Sequence, residues 1–277
     1  MQQLHYSLGL PRTASTLIMN ILNENPRIFT TGTCCMPHLV NACQKKSNEI
    51  SEFAALDKDV LNKSYINFLR QGMRGWFEAM TDKPIVFSKS RSWSEFLPHT
   101  FAIDPNSKYL VILRDLRDII CSFESLLWKY PEVIYGDGET QFLEEPYEKR
   151  MEVYCTDTIS LLGRPLQMLP RLMEVAKKNP NSFFILQHEF FNEKPRETMQ
   201  MIYQWLGEEN FEHDFDNIPK PDYYEHDTVY RSLVSHKTGS KLKKLDPRWP
   251  KIMTEKQSKM VIDNNRWYYE TFYPEVL

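Results

Sequence analysis

The chain has 277 residues, 42% hydrophobic and 26% charged, a length that buries one substantial core and predicts a single α/β domain over residues 1–277. Its formal net charge is -3, which excludes a global attraction to nucleic acid or to an anionic membrane, so a polyanionic ligand must be drawn in by local charge. No hydrophobic run approaches the ~20 residues of a membrane span, and Cys34, Cys35, Cys43, Cys121 and Cys155 are an odd number without metal-ligand spacing, so a soluble cytoplasmic protein with no metal site is expected.

Residues 4–8 form an apolar run that predicts the first strand, and Ser15 and Thr16 open an amphipathic helix. The turn between them reads Gly9, Leu10, Pro11, Arg12, Thr13, Ala14. A glycine-bearing loop that enters a helix N-terminus offers unpaired backbone N–H groups and the positive end of the helix dipole to an anion. Arg12 adds a full charge, and Ser15 and Thr16 add hydroxyl donors. In the Walker A pattern, Gly is followed after four residues by Gly, Lys and Ser or Thr. Here Gly9 aligns, but Ala14 replaces the second Gly and Ser15 the Lys. An ordinary strand-to-helix turn is the alternative reading of the loop taken alone.

Further along, Cys34 and Cys35 read as buried small hydrophobes, and residues 30–41 hold one histidine, His38, and no carboxylate. Leu61, Tyr65, Phe68, Leu69, Met73, Trp76, Phe77 and Met80 keep a 3.6-residue period, predicting a helix with a core-facing stripe. Residues 85–90 read as a strand carrying Lys89. Tyr109–Leu113 is an unbroken apolar run, as expected of a parallel strand buried on both faces. It ends in Arg114, where a triphosphate hydrolase would more naturally place an acid to hold magnesium. Asp115 is a candidate N-cap for the next helix, with Asp118 favouring its dipole. Arg114 would lie at the carboxyl edge of the sheet, where ligands bind in open α/β folds, or form an ion pair with Asp118.

Residues 131–146 make the longest candidate loop, a lid or a surface connection. A helical tract over 147–178 should be kinked or divided by Pro165 and Pro170. Lys237, Lys241, Lys243, Lys244, Arg248 and Lys251 form the one basic concentration, read as a solvated face apart from Lys237. The aromatic tail Trp267, Tyr268, Tyr269, Phe272 and Tyr273 predicts a final helix docked on the core.

These motifs together resemble the sulfotransferases. Residues 9–17 (GLPRTASTL) resemble their 5′-phosphosulfate loop, commonly written PRSGST or KSGTTW, and residues 113–123 (LRDLRDIICSF) resemble their 3′-phosphate motif, with Arg114 and Ser122 at the family spacing. Residues 85–90 (IVFSKS) look like the strand with the catalytic Lys, residues 184–207 like the late strand and helix, and residues 235–239 (SHKTG) more weakly like the basic loop over the nucleotide. The opening Pro and Arg look nearer to the tyrosylprotein and carbohydrate branches than to the cytosolic small-molecule branch.

The resemblance implies a P-loop NTPase-like three-layer α/β fold with a mainly parallel central sheet flanked by helices. It implies 3′-phosphoadenosine 5′-phosphosulfate (PAPS) as donor, adenosine 3′,5′-bisphosphate as product, no metal, and a hydroxyl acceptor that is a glycan, a tyrosyl group or a small molecule. It places Pro11, Arg12, Thr13, Ala14, Ser15 and Thr16 on the 5′-phosphate, with Arg12 and Lys89 also stabilising the transferring group. Arg114 and Ser122 take the 3′-phosphate, and His188, Lys237, Thr238 and Gly239 join the nucleotide site. The family's usual base positions hold Arg91, which stays protonated near neutral pH, and a stretch without a carboxylate. His38 is then the leading base, with His5, His99 and Glu124 as alternatives. A divergent P-loop kinase and a nucleotide-binding protein without turnover remain the rival readings.

Overall fold

The computed structural model describes residues 2–129, 145–156, 162–219 and 239–277. Its centre is a five-stranded sheet in the order β2-β3-β1-β4-β5, where β1 is Gln3–Gly9, β2 Ile28–Thr30, β3 Ile85–Lys89, β4 Tyr109–Leu113 and β5 Phe183–Gln187. Every neighbouring pair is parallel. The sheet therefore needs helical crossovers and is covered on both faces.

The apolar run of β4 shows how. All five residues are buried, and alternate side chains go to opposite faces. Tyr109, Val111 and Leu113 join Phe77, Trp93, Leu166 and Tyr268 in one cluster. Leu110 and Ile112 join Ile18, Leu22 and Ile202 in the other. The helices Ser15–Asn23 and Pro195–Leu206 thus cover one face, and Lys58–Glu78, Gly163–Lys178 and the C-terminal helices cover the other. None of the described helices is long and apolar enough to cross a membrane.

Three expectations are corrected. The helix Lys58–Glu78 buries Leu69, Met73 and Phe77, but Phe68 is 63% exposed and Trp76 and Met80 are also exposed. Phe68 and Trp76 each precede a buried residue by one position, about 100° around the helix, beyond the arc that touches the sheet. Cys34 is buried but Cys35 is exposed, because it sits at the N-cap where the helix Met36–Glu49 turns outward. The helix Gly163–Lys178 runs through both Pro165 and Pro170, so neither proline divides it, and residues 157–161 before it lie outside the described residues. Pro165 falls in the first turn, where the missing N–H costs little, and Pro170 stays inside the helix. Most of the candidate loop at 131–146 lies outside the described residues.

From β1 the chain passes to β2 and β3 on one side, then crosses to β4 on the other. This reversal opens a crevice at the carboxyl ends of β1 and β4. Gly9 sits there at φ 122, and a Cβ on it would lie 2.2 Å from the Ile112 carbonyl oxygen. The same oxygen accepts a hydrogen bond from Leu10 N–H at 3.0 Å, so the loop is pressed onto β4. Gly9→Ala should lower stability by ~3 kcal/mol or more, through a clash with backbone and a strained φ. Gly72→Ala, in an exposed helix with nothing within 4 Å of the new Cβ, should raise it by ~0.5–1 kcal/mol. Urea titration of the two variants measures both.

Candidate functional site

The loop after Gly9 holds the only two non-glycine residues with positive φ among the described residues, Arg12 and Ala14, both at φ 57. Each costs ~1 kcal/mol for an L-residue. Such turns aim successive N–H groups into one concavity. Thr13, between them, is buried, and its hydroxyl donates to the Leu10 carbonyl, which anchors the loop. Ala14 is the N-cap of Ser15–Asn23, with no side-chain cap and no acid in the first turn.

Arg12, Arg114, Ser122 and His188 meet over the loop. Arg12 Nε donates to Ser122 Oγ at 3.0 Å. From the end of β4, Arg114 Nη1 donates to the Arg12 carbonyl at 2.9 Å and Nη2 to Asp118 Oδ2 at 2.9 Å. Both readings of Arg114 therefore hold at once: it lies at the crevice and it is paired with Asp118. Among the described residues its Nε is buried without a partner, as is Nδ1 of His188. His188 begins the helix that follows β5. Burial, then the Arg114 charge, pushes its pKa down to about 4, against a hydrogen bond with the Thr13 backbone that raises it. Arg12 likewise holds its proton less tightly than usual, first through burial and then through Arg114 and Arg248. Cations so crowded, with buried polar atoms left over, form a site suited to an anion.

Lys89 comes to the same loop from the end of β3. Its Nζ donates to Thr16 Oγ1 at 3.0 Å and to the Gly32 carbonyl at 2.6 Å. The expected residues from Pro11 to Thr16, Lys89, Arg114, Ser122 and His188 are thus gathered at one sheet edge. Lys237 and Thr238 lie outside the described residues. Gly239 is exposed, next to Ser240, whose carbonyl accepts from Ile218 N–H.

A second layer holds Arg114 in place. Asp115 caps the helix Leu116–Lys129, as expected, by accepting from Arg117 N–H at 2.9 Å, and its carboxylate also holds the Arg117 guanidinium. The aromatic tail docks here. Tyr268 donates to the Arg114 carbonyl, Tyr269 to Asp115 and Tyr273 to Glu189, which also accepts from Asp115 N–H. Asp118 Oδ1 accepts from Arg248 and Trp249 N–H at 2.8 and 3.1 Å, and Arg117 lies 3.8 Å over the Trp249 ring. Arg248 is exposed, as its place in a solvated run predicts, and its charge also reaches Arg12.

His38 is not part of this cluster. It is exposed in the first turn of Met36–Glu49 and lines a cavity of about 260 Å³ with Asn41, Arg91, Glu95 and Arg164. Arg91 ties the cavity to the crevice, because its affinity for a proton is lowered by burial and then by the charge of Arg12. The alternative bases are placed elsewhere. Glu124 is buried, with both oxygens taken by Arg150 and Tyr154. His5 accepts from Lys108 N–H at the amino end of β4, and burial lowers its pKa to about 4. His99 packs against the rings of Tyr65 and Phe96.

The model of the sulfotransferase family matches residues 7–213. Among solved structures, the sulfotransferase domain from the curacin biosynthetic pathway aligns with a TM-score of 0.61 at 15% identity, covering 95% of this chain and 97% of that one. The sulfotransferase domain from the Synechococcus PCC 7002 olefin synthase gives 0.53 at 14% identity over 97% and 95%. A sulfotransferase from Mycobacterium avium gives 0.53 at 13% over 98% and 77%. At these identities the structures speak for a shared fold. A search of curated sequences finds no significant match.

An anion held between Arg114 and His188 would offset the two influences that keep this imidazole neutral. Saturating the protein with inorganic pyrophosphate should raise the His188 pKa above its starting value of about 4, with proton uptake between that pH and ~6.5. Histidine NMR titration with and without pyrophosphate measures the shift, and an unmoved pKa would place the anion elsewhere.

Proposed function

Because the chain belongs to the sulfotransferase family, we propose that it moves a sulfuryl group from PAPS to an acceptor hydroxyl by in-line displacement. The observation that carries this reading is the meeting of Arg12, Arg114, Ser122 and His188 over an uncapped helix N-terminus, with Arg114 Nε and His188 Nδ1 left unpartnered. These residues fit a nucleotide with phosphate groups at two positions. When bound, the donor supplies the sulfuryl group and departs as adenosine 3′,5′-bisphosphate.

Arg12 and the N–H groups of residues 13–16 hold the 5′-phosphate, where dipole and charge act together. Arg114 and Ser122 hold the 3′-phosphate, with His188 beside them, and the planar guanidinium suits bidentate contact with phosphate oxygens. Lys89, already bonded to Thr16, sets a positive charge where the leaving oxygen gains negative charge. The chain's own cations thereby take the role that magnesium has in phosphoryl transfer. His38 takes the proton of the acceptor hydroxyl as general base. The odd cysteine count supports a cytoplasmic location.

Arg114→Ala should weaken binding of adenosine 3′,5′-bisphosphate by ~2–3 kcal/mol while AMP, which lacks the 3′-phosphate, changes little. Calorimetry on folded variant protein decides this, and an equal loss for both nucleotides would return Arg114 to a purely structural role. Lys89→Ala should lower kcat by ~100-fold or more with donor KM within a few-fold. Steady-state kinetics that showed full kcat and a raised donor KM would reassign Lys89 to binding.

A further inference from the structure

The cavity beside His38 carries information about the acceptor, given the sulfotransferase reading. It opens between the first turn of Met36–Glu49, the 3-10 turn Arg91–Phe96 and the start of Gly163–Lys178. At about 260 Å³ it falls just below the ~300 Å³ at which drug-sized ligand pockets begin, so it admits one ring or a short chain. Pro37, Phe96, Pro165 and Met168 form an apolar wall. His38, Asn41, Ser92 and Ser94 supply polar groups.

Charge narrows the choice. The lining contains two arginines, Arg91 and Arg164, and one glutamate, Glu95, which is itself bonded to Arg164. The formal charge of the lining is therefore positive, with the charge of Arg12 close behind Arg91. A neutral alcohol would use none of this field. A polyanionic donor in the adjoining crevice would also repel an anionic acceptor unless a cation stood between them. Arg91 is the cavity cation that feels the charge of Arg12. It follows Lys89 by two residues, it cannot serve as a base, and it lines the cavity together with His38.

We propose that the acceptor is a small hydroxy acid whose carboxylate is bound by Arg91 and whose hydroxyl is presented beside His38. Arg91 then acts as the specificity residue, and its guanidinium neutralises the acceptor carboxylate next to the anionic donor. The apolar wall covers the carbon skeleton.

The test uses the full chain saturated with adenosine 3′,5′-bisphosphate, so that the probes cannot occupy the phosphate crevice. The probes are 2-, 3- and 4-hydroxybenzoate, each compared with its primary amide, a neutral counterpart of the same shape. At least one acid should bind tenfold or more tightly than its amide by calorimetry. Arg91→Gln should bring that pair within twofold while amide affinity stays within threefold, and Arg91→Lys should restore part of the preference. Acids and amides that bind alike, no acid binding at all, or a preference that survives Arg91→Gln would each overturn the proposal. Failure of the bisphosphate to bind counts against the PAPS reading alone. The acid and amide comparison is then made on the free protein, where the same outcomes decide it.

Discussion

The site depends on the Arg114 guanidinium, which links four separate parts of the chain. It bonds the carbonyl of Arg12 in the first loop and the carboxylate of Asp118 one helical turn beyond itself, while its own carbonyl receives the Tyr268 hydroxyl from the C-terminus. Asp118 extends the link to Arg248 and Trp249. A buried ion pair recovers its desolvation cost only when the remaining polar atoms are also bonded, and here nearly all are. The exception is Arg114 Nε, at the edge of the crevice. The surrounding network holds this donor in position before any ligand arrives, so little rotamer entropy is lost on binding.

The loop that faces Arg114 is strained, and the sheet supports the strain. Two residues with left-handed backbone and one glycine that touches β4 would relax if the chain were free to do so. They are held by the Leu10 N–H bond to Ile112 and by the Thr13 hydroxyl on Leu10. The arrangement points backbone N–H groups outward at the cost of ~1 kcal/mol per strained residue. Burial of Leu8 and Leu10 on one side of the loop and of Ile18 and Met19 on the other is large enough to carry that cost.

Positive charge is spread over two neighbouring compartments. Arg12, Arg114 and Arg248 serve the crevice, and Arg91 and Arg164 serve the cavity. The charge of Arg12 is felt at Arg91, so the two compartments are electrostatically linked. Two residues after Lys89 the chain carries the cation Arg91, and the candidate base His38 comes from a different element, the helix Met36–Glu49.

The first loop, β4, the Asp115 cap and the eight-residue spacing from Arg114 to Ser122 were all legible in the amino-acid order. Each is local: periodicity, capping and strand-to-turn-to-helix succession act over a dozen residues or fewer. The resemblance of these short motifs was enough to place the chain in its family and to anticipate the sheet. What tertiary structure alone decided lies at long separation. Glu124 reads as a free carboxylate until Arg150 and Tyr154 close on it, and nothing in the sequence says that Asp118 takes the backbone N–H of the exposed Arg248. Phe68 and Trp76 read as core until the helix is seen to touch the sheet along a narrower arc. The cavity joins residues 37, 91 and 164, positions that no pattern connects. Such contacts follow from which faces pack together, and sequence periodicity sets the faces without naming their partners.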